Sequence, residues 1–159
     1  MWIVKLGGSL AHEPELRSGL AAIAAETGTA RLVVPGGGPF ADAVRALQPA
    51  MGFDDLAAHR MAILAMQQYG LHLAGLEPRL RLVETAADLA RLRDDGAAGV
   101  WLPWALIGRD ASIPASWDVT SDSLALILAI RLAAERLVLV KAAGLPDEIA
   151  AAPFLDAAR

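Results

Sequence analysis

Short apolar runs of strand length alternate with segments of helix length along almost the whole chain. The runs WIVKL, RLVVP, RLRLVE, GVWLP and RLVLVK predict five strands, at residues 2–6, 31–35, 79–84, 99–103 and 136–141. Helical patterns cover residues 14–28, 38–49, 54–75, 85–96 and 119–134. This alternation predicts an α/β fold with a mostly parallel sheet that is covered by helices on both faces.

The sequence predicts a single domain over residues 1–159. This length suits one hydrophobic core, and the chain shows no internal repeat or linker. Hydrophobic residues make up 55% of the chain, which favours a packed protein over a disordered one. The polar stretch 107–118 predicts a loop, and residues 142–159 predict a loop followed by a short helix.

Several classes of function are disfavoured by what the sequence lacks. No apolar stretch reaches the length of a membrane span, and the N-terminus does not resemble a signal peptide. There is no cysteine, which excludes disulfides and thiolate metal sites, and His12 and His72 show no ligand spacing. A net charge of −4 argues against a nucleic-acid surface. We therefore expect a soluble, cytoplasmic protein that holds no metal ion of its own.

The two lysines of the chain occupy matching positions. Twelve of the 14 basic residues are arginines, whereas Lys5 and Lys141 each stand at the end of a predicted strand. In open α/β sheets the ligand site lies at the carboxyl ends of the strands. Lys5, Lys141 and the glycine turn 36–38 are therefore expected to converge on one edge of the sheet.

Two glycine turns follow the first two predicted strands. In the first, Gly7, Gly8 and Ser9 are suited to a nest of backbone N–H groups for an anion, although a plain strand-to-helix turn is nearly as consistent. In the second, Gly36, Gly37 and Gly38 let either a ligand or a neighbouring strand approach the backbone. Neither turn is a P-loop or a GxGxxG fingerprint.

Three further features offer candidate site residues. Asp118, Thr120 and Ser121 can cap a helix N-terminus, and Asp122 suits the dipole of its first turn. Alternatively, Asp122 could face the two lysines and hold them by hydrogen bonds. Trp117 could form a wall of the site, or it could simply pack against its neighbours. The guanidinium of Arg60 is suited to bind a phosphate with two hydrogen bonds, and Arg45 is a weaker candidate for the same role. The neighbouring His59 is interpreted as a structural residue. The helix around Arg60 is apolar on several faces, which indicates a homodimer contact or deep burial.

Four motifs in register resemble the amino acid kinase superfamily: KLGGSL, VPGGGPFADAVR, AAHRMAI and SWDVTSDSLAL. They look most like the aspartokinase-like branch that includes an aminomethyl-furanmethanol phosphate kinase of methanofuran biosynthesis. The resemblance implies a three-layer αβα sandwich. It also implies transfer of the ATP γ-phosphate to a small acidic acceptor, which in this branch is a phosphate monoester, with Mg²⁺ carried by the nucleotide.

The resemblance also assigns roles to residues. Lys5, Asp122 and Lys141 would be catalytic, with Lys5 bridging the acceptor and the γ-phosphate and Asp122 organising the lysines. The nucleotide phosphates would be held by residues of two turns, namely Gly7, Gly8, Ser9, Thr120 and Ser121. The acceptor would be bound by Gly36, Gly37, Gly38 and Arg60.

The chain departs from the family pattern after the last predicted strand. VKAAGLPD stands where a TDVDG-like segment is usual, and only 18 residues follow Lys141. This predicts a shortened C-terminal nucleotide half, in which Lys141 either replaces a lost phosphate contact or touches the nucleotide differently. The alternative is a non-catalytic relative that binds a phosphate ligand or serves as an assembly subunit. A carboxylate acceptor is a second alternative, because amino acid kinases use one.

Overall fold

The computed structural model describes residues 1–142. Within this part the strands are β1 (Trp2–Leu6), β2 (Arg31–Pro35), β3 (Arg81–Val83), β4 (Ala98–Trp101) and β5 (Arg136–Val140). The helices are α1 (Leu16–Ala25), α2 (Gly38–Met51), α3 (Asp55–Leu76), α4 (Ala86–Asp94), α5 (Trp104–Ile107) and α6 (Ser121–Arg131), and a 3-10 helix covers Gly8–His12. The short helix predicted within residues 142–159 lies outside the described residues. No helix in the described part is both long enough and apolar enough to cross a membrane.

The five strands form one parallel sheet in the order β3-β4-β2-β1-β5. β1 lies between β2 and β5, and Leu6 at its end is in register with Pro35 on one side and Val140 on the other. The carboxyl ends of these three strands are therefore level. The turn after β1 lies directly between the turn after β2 and Lys141.

Helices cover both faces of the sheet, as the alternating pattern predicts. On one face the side chains of Ile3, Leu32 and Val34 pack in a cluster with Leu124 and Leu128 of α6. On the other face a second cluster forms, with Val4, Leu6 and Val33 from the strands and Leu16 and Leu20 from α1. Neighbouring residues of a strand point to opposite faces, so each strand contributes to both clusters. The predicted αβα sandwich is confirmed.

Every predicted helix differs from the observed one by one to three residues at one or both ends, and the second helix shows a physical reason. We expected the second helix to end at Pro49, yet α2 continues to Met51 and ends at Gly52, whose φ is 70° and whose N–H donates to the Gln48 carbonyl at 2.9 Å. A proline in the last turn removes one helical donor but does not prevent a glycine from closing the helix two residues later. The short helix α5 was not predicted.

Candidate active site

Two lysines and one aspartate meet at the carboxyl edge of the sheet. Nζ of Lys5 lies 2.7 Å from Oδ1 of Asp122, and Nζ of Lys141 lies 2.8 Å from Oδ2 of the same carboxylate. Lys5 stands one residue before the end of β1, Lys141 directly follows β5, and Asp122 lies in the first turn of α6. The structure therefore brings the three predicted catalytic side chains into one ion cluster.

The carboxylate of this cluster stays ionised at neutral pH. Burial raises the pKa of Asp122, but the contacts with Lys141 and Lys5 outweigh this effect and hold the pKa below its ordinary value. The approach of Lys5 to Oδ1 is an ion pair rather than an aligned hydrogen bond. The Lys5 side chain is only 6% exposed, and an ammonium so deeply buried requires a charged partner. Two ammonium groups and one carboxylate leave a net charge of +1.

The two glycine turns pack backbone against backbone. A Cβ on Gly8 would lie 2.5 Å from the backbone nitrogen of Gly38, and a Cβ on Gly36 would lie 2.4 Å from the nitrogen of Gly8. Both distances are too short for any side chain. The sequence left open whether a ligand or a neighbouring strand required bare backbone here. At Gly8 and Gly36 the requirement comes from the other turn.

The first turn does not form the predicted nest in full. Gly7 is extended, with φ −60° and ψ 141°, and its N–H donates to the Val140 carbonyl at 3.0 Å. A nest that includes the Gly7 N–H is therefore wrong, because that donor continues the hydrogen bonding between β1 and β5. The roles of Gly8 and Ser9 in holding nucleotide phosphates stay predictions.

A cavity of about 310 Å³ opens beside the glycine turns. One wall is formed by six of the predicted site residues, namely Gly8, Ser9, Gly37, Gly38, Thr120 and Ser121. The other walls come from α2, α3, the segment before α6 and α6 itself, and they mix charged groups with apolar ones such as Ile63, Met66 and Leu124. Its volume is at the lower end of those that hold small molecules. Lys5, Asp122 and Lys141 are not among the residues that line this cavity; its nearest lining residue in sequence is Ser121, which precedes Asp122.

Of the two candidate arginines, the structure places the weaker one in the cavity. Arg45 of α2 lines the cavity, and its guanidinium carbon lies 4.6 Å from the ring centroid of Trp117. Arg60, which the resemblance assigned to the acceptor, is exposed on α3 and does not line this cavity. The acceptor-binding role of Arg60 therefore has no support from the cavity geometry.

His59 also lines the cavity, although the sequence indicated a structural residue. Burial lowers the pKa of His59, and the positive charge of the adjacent Arg60 lowers it further. The imidazole is therefore neutral at physiological pH. It can donate or accept a hydrogen bond in the cavity without adding charge.

The matching family model confirms the resemblance carried by the four motifs. The model of the amino acid kinase family matches residues 1–144. The chain belongs to the amino acid kinase family. Within this family, the chain is 32% identical over 129 residues to the (5-(aminomethyl)furan-3-yl)methyl phosphate kinase of Methanocaldococcus jannaschii. That match covers 80% of this chain and 59% of the relative, so the chain spans about three fifths of the relative's length.

A solved structure shares the fold of this amino acid kinase family member. The crystal structure of uridylate kinase from Archaeoglobus fulgidus superposes with a TM-score of 0.64, covering 89% of this chain and 63% of that one. The sequence identity is 18%, so the comparison concerns the fold alone. It agrees with the parallel sheet and the helices on both of its faces.

Sequence reasoning missed part of the cavity wall in this family member. Asp42 and Asp55 line the cavity, and Gln48 contacts the Trp117 indole beside it. One signal was available for α2: Asp42, Arg45 and Gln48 are spaced by three residues and therefore share one face of the helix that follows the second glycine turn. Asp55 had no such signal, because acidic residues are common in the first turn of any helix.

Proposed function

We propose that this chain acts as an ATP-dependent kinase that transfers the γ-phosphate to a small phosphate monoester of the aminomethylfuran type, in methanofuran-like cofactor biosynthesis. The observation that carries the proposal is the pair of ammonium groups on the two oxygens of Asp122, 2.7 and 2.8 Å away, beside two glycine turns. Phosphoryl transfer requires little covalent chemistry from a protein. Positioning and neutralisation of charge on the transferring group carry most of the catalysis.

Each member of the ion cluster has a distinct task in this proposal. Lys5 is held rigidly by burial and by Asp122, so its ammonium is already in place when the phosphoryl group moves past it. Lys141, whose side chain is 48% exposed, is the lysine proposed to contact the nucleotide phosphates, because its ammonium is open to solvent. Asp122 offsets the repulsion between the two lysines and leaves one net positive charge to meet the more strongly negative phosphates.

The nucleotide would supply its own metal ion. Within residues 1–142 no group of three or more acidic or histidine side chains could hold a metal ion, and Asp122 is committed to the lysines. Mg²⁺ is commonly bound through substrate phosphates with only a few protein ligands. ATP with Mg²⁺ is therefore the proposed cofactor pair.

The mixed lining of the cavity supports an acceptor that carries both signs of charge. Arg45 supplies a cation, whereas Asp42 and Asp55 supply carboxylates. The name of the Methanocaldococcus relative describes such an acceptor, with an amine and a phosphate on one ring. A carboxylate acceptor in place of the phosphate is the second candidate, and Arg45 could bind either anion.

We further propose that the chain forms a homodimer or a higher homo-oligomer. Exposed apolar side chains lie on α3, with Leu64 at 38% and Leu71 at 48% exposure. The two residues are seven positions apart and share one helix face. Exposed leucines on one helix face offer apolar surface on which a second copy of the chain could pack.

Replacing Lys5 tests the proposed activity. The full chain is incubated with ATP, Mg²⁺ and the aminomethylfuran phosphate, and the diphosphate product is followed by phosphorus NMR and by release of ADP. We expect Lys5→Met to lower kcat at least about 10²- to 10³-fold, as expected for loss of a group that stabilises the transition state. Methionine fills the buried position, so circular dichroism and the melting temperature check that the fold is kept.

The same experiment separates the kinase from its non-catalytic alternative. Turnover in the Lys5→Met variant equal to that of the unchanged protein would eliminate the mechanism. Calorimetry with ATP-Mg²⁺ and with ADP provides the second arm. If the unchanged protein shows neither turnover nor heat of nucleotide binding, it is a relative that binds a phosphate ligand or serves in an assembly.

A further inference from the structure

Arg45 is held by an aromatic ring rather than by a carboxylate. Its guanidinium carbon lies 4.6 Å from the centroid of the Trp117 ring. Among residues 1–142, none of the ion pairs involves Arg45, although Asp42 stands one helical turn away. A cation over an aromatic ring is attracted by the ring's electrons and does not use its N–H donors in this contact. The N–H donors of Arg45 can therefore serve a ligand.

The ring that carries Arg45 is itself fixed to α2. Nε1 of Trp117 donates to Oε1 of Gln48 at 2.6 Å, and Nε2 of Gln48 donates to Oδ1 of Asp55 at 2.9 Å. Arg45 and Gln48 are three residues apart, so both lie on the face of α2 where the indole docks. Asp55 begins α3. The chain of contacts thus ties the loop before α6 to two helices and orients the indole under Arg45.

The direction of the helix points the Arg45 side chain toward the glycine turns. Helical side chains lean toward the N-terminus of their helix. α2 begins at Gly38, which lines the same cavity as Arg45. The exposed Arg60 does not line this cavity. Arg45 is therefore the arginine in position to reach an anion held in front of the turns.

We propose that Arg45 binds the anionic group of the acceptor, and that Trp117 and Gln48 are positioning residues that hold its guanidinium in place. The proposal rests on the proposed function for the identity of the acceptor. A planar fork of donors matches two oxygens of a phosphate or a carboxylate. Because Trp117 and Gln48 act through Arg45, their removal matters only while Arg45 is present.

The test measures KM for the aminomethylfuran phosphate, KM for ATP, and kcat. We expect Arg45→Met to raise the acceptor KM about 10- to 100-fold, the range for loss of a hydrogen bond to a charged group, with little change in the ATP KM. Arg45→Lys keeps the charge but loses the planar pair of donors. Its acceptor KM should therefore lie between those of the unchanged protein and Arg45→Met. Trp117→Leu should raise the acceptor KM less than Arg45→Met, and Gln48→Met should have a smaller effect of the same kind.

The double variant distinguishes positioning from general packing. Trp117→Leu combined with Arg45→Met should be no worse in acceptor KM than Arg45→Met alone. If the two effects multiply instead, Trp117 does not act through Arg45 and the positioning part is overturned. Equal changes in both KM values, together with a lowered melting temperature, would also overturn it, because they indicate a structural role.

A second stacked arginine provides the matched control. Arg136 at the start of β5 lies 4.4 Å from the ring centroid of Trp2 and does not line the cavity. Arg136→Met should leave the acceptor KM within about a factor of two, well below the change expected at Arg45. Arg60→Met tests the rival assignment. If it raises the acceptor KM while Arg45→Met does not, the proposal fails and the assignment from the resemblance stands.

Binding of inorganic phosphate separates this proposal from the proposed function. Calorimetry on the full chain should show phosphate affinity that falls about tenfold or more in Arg45→Met. Loss of phosphate affinity without any turnover in the unchanged protein would reject the kinase activity and keep the role of Arg45. Turnover with the acceptor KM unaltered in Arg45→Met would keep the kinase and reject this role. Absence of both turnover and phosphate binding would reject both.

Discussion

Lys5 is an ammonium group that folding removes almost entirely from water. Its position within β1, with the side chain on the face covered by α6, forces it against Asp122, and the parallel neighbour β5 brings Lys141 to the same carboxylate. Strand ends and the scarcity of lysine were visible in the sequence. The contact between Lys5 and Asp122 could be proposed but not established from the sequence, because the two residues are 117 positions apart and only the strand order brings them together.

The glycine positions show a second limit of sequence reasoning at the residue scale. Two glycine turns were readily found, and their use in a site was a sound hypothesis. The reason for glycine at Gly8 and Gly36 is the close approach of the other turn, which local sequence does not contain. The Gly7 N–H donates to the Val140 carbonyl of β5, a partner that local sequence does not reveal either.

Alanine substitutions test this reason for glycine. Gly36→Ala should destabilise the protein by about 1–3 kcal/mol, because its Cβ would overlap the nitrogen of Gly8 at 2.4 Å and one turn must move. Gly19 in α1 is the matched control, since a Cβ there meets nothing within 4 Å. Gly19→Ala should stabilise by about 0.5–1 kcal/mol. Urea unfolding measures both, and equal stability of the two variants would refute the packing argument.

The elements themselves were largely predictable, because each strand and long helix carries its own periodicity. The boundaries were less so. Pro49 suggested the end of the second helix, but the helix continues to Met51. It ends there because Gly52 adopts the left-handed conformation that closes a helix. The short helix α5 has too few residues to show a period. The docking of Trp117 on Gln48 joins two elements that lie 69 residues apart, and no local pattern predicts it.

The clearest prediction at the element scale concerns the start of α4. Thr85 accepts a hydrogen bond from the Asp88 N–H at 3.2 Å, and the Asp88 carboxylate accepts one from the Thr85 N–H at 2.9 Å. Thr85→Ala should cost about 1 kcal/mol of the free energy of unfolding, because it removes this reciprocal cap. Thr85→Ser keeps the hydroxyl and should cost much less. The two variants are compared by thermal and urea unfolding, and equal losses would argue against capping as the cause.

For the whole molecule, alternation of strands and helices predicted a parallel sheet covered on both faces, and the structure has one. The strand order β3-β4-β2-β1-β5 could not be obtained from the pattern, because several orders satisfy the same alternation. That order places β1 at the centre of the site, between the strands that carry the second glycine turn and Lys141.

Association of whole molecules is tested on the exposed face of α3. We expect Leu64→Glu combined with Leu71→Glu to shift the mass measured by light scattering toward the monomer, because buried carboxylates without partners oppose association. Ile130→Glu on α6 is the control, since Ile130 is 56% exposed and belongs to another helix. A monomeric unchanged protein would reject the proposed oligomer. If the double variant keeps the mass of the unchanged protein, the contact between subunits lies on another face.

The contact between the glycine turns couples the binding sites that the proposed function gives to the nucleotide and the acceptor. With no side chain between them to absorb a shift, the turn after β1 and the turn after β2 must move as one body. A molecule that binds against one turn therefore also fixes the position of the other turn, against which the second molecule binds. Synergy between donor and acceptor, in which each tightens the binding of its companion by the same factor, would then be a property of the backbone itself.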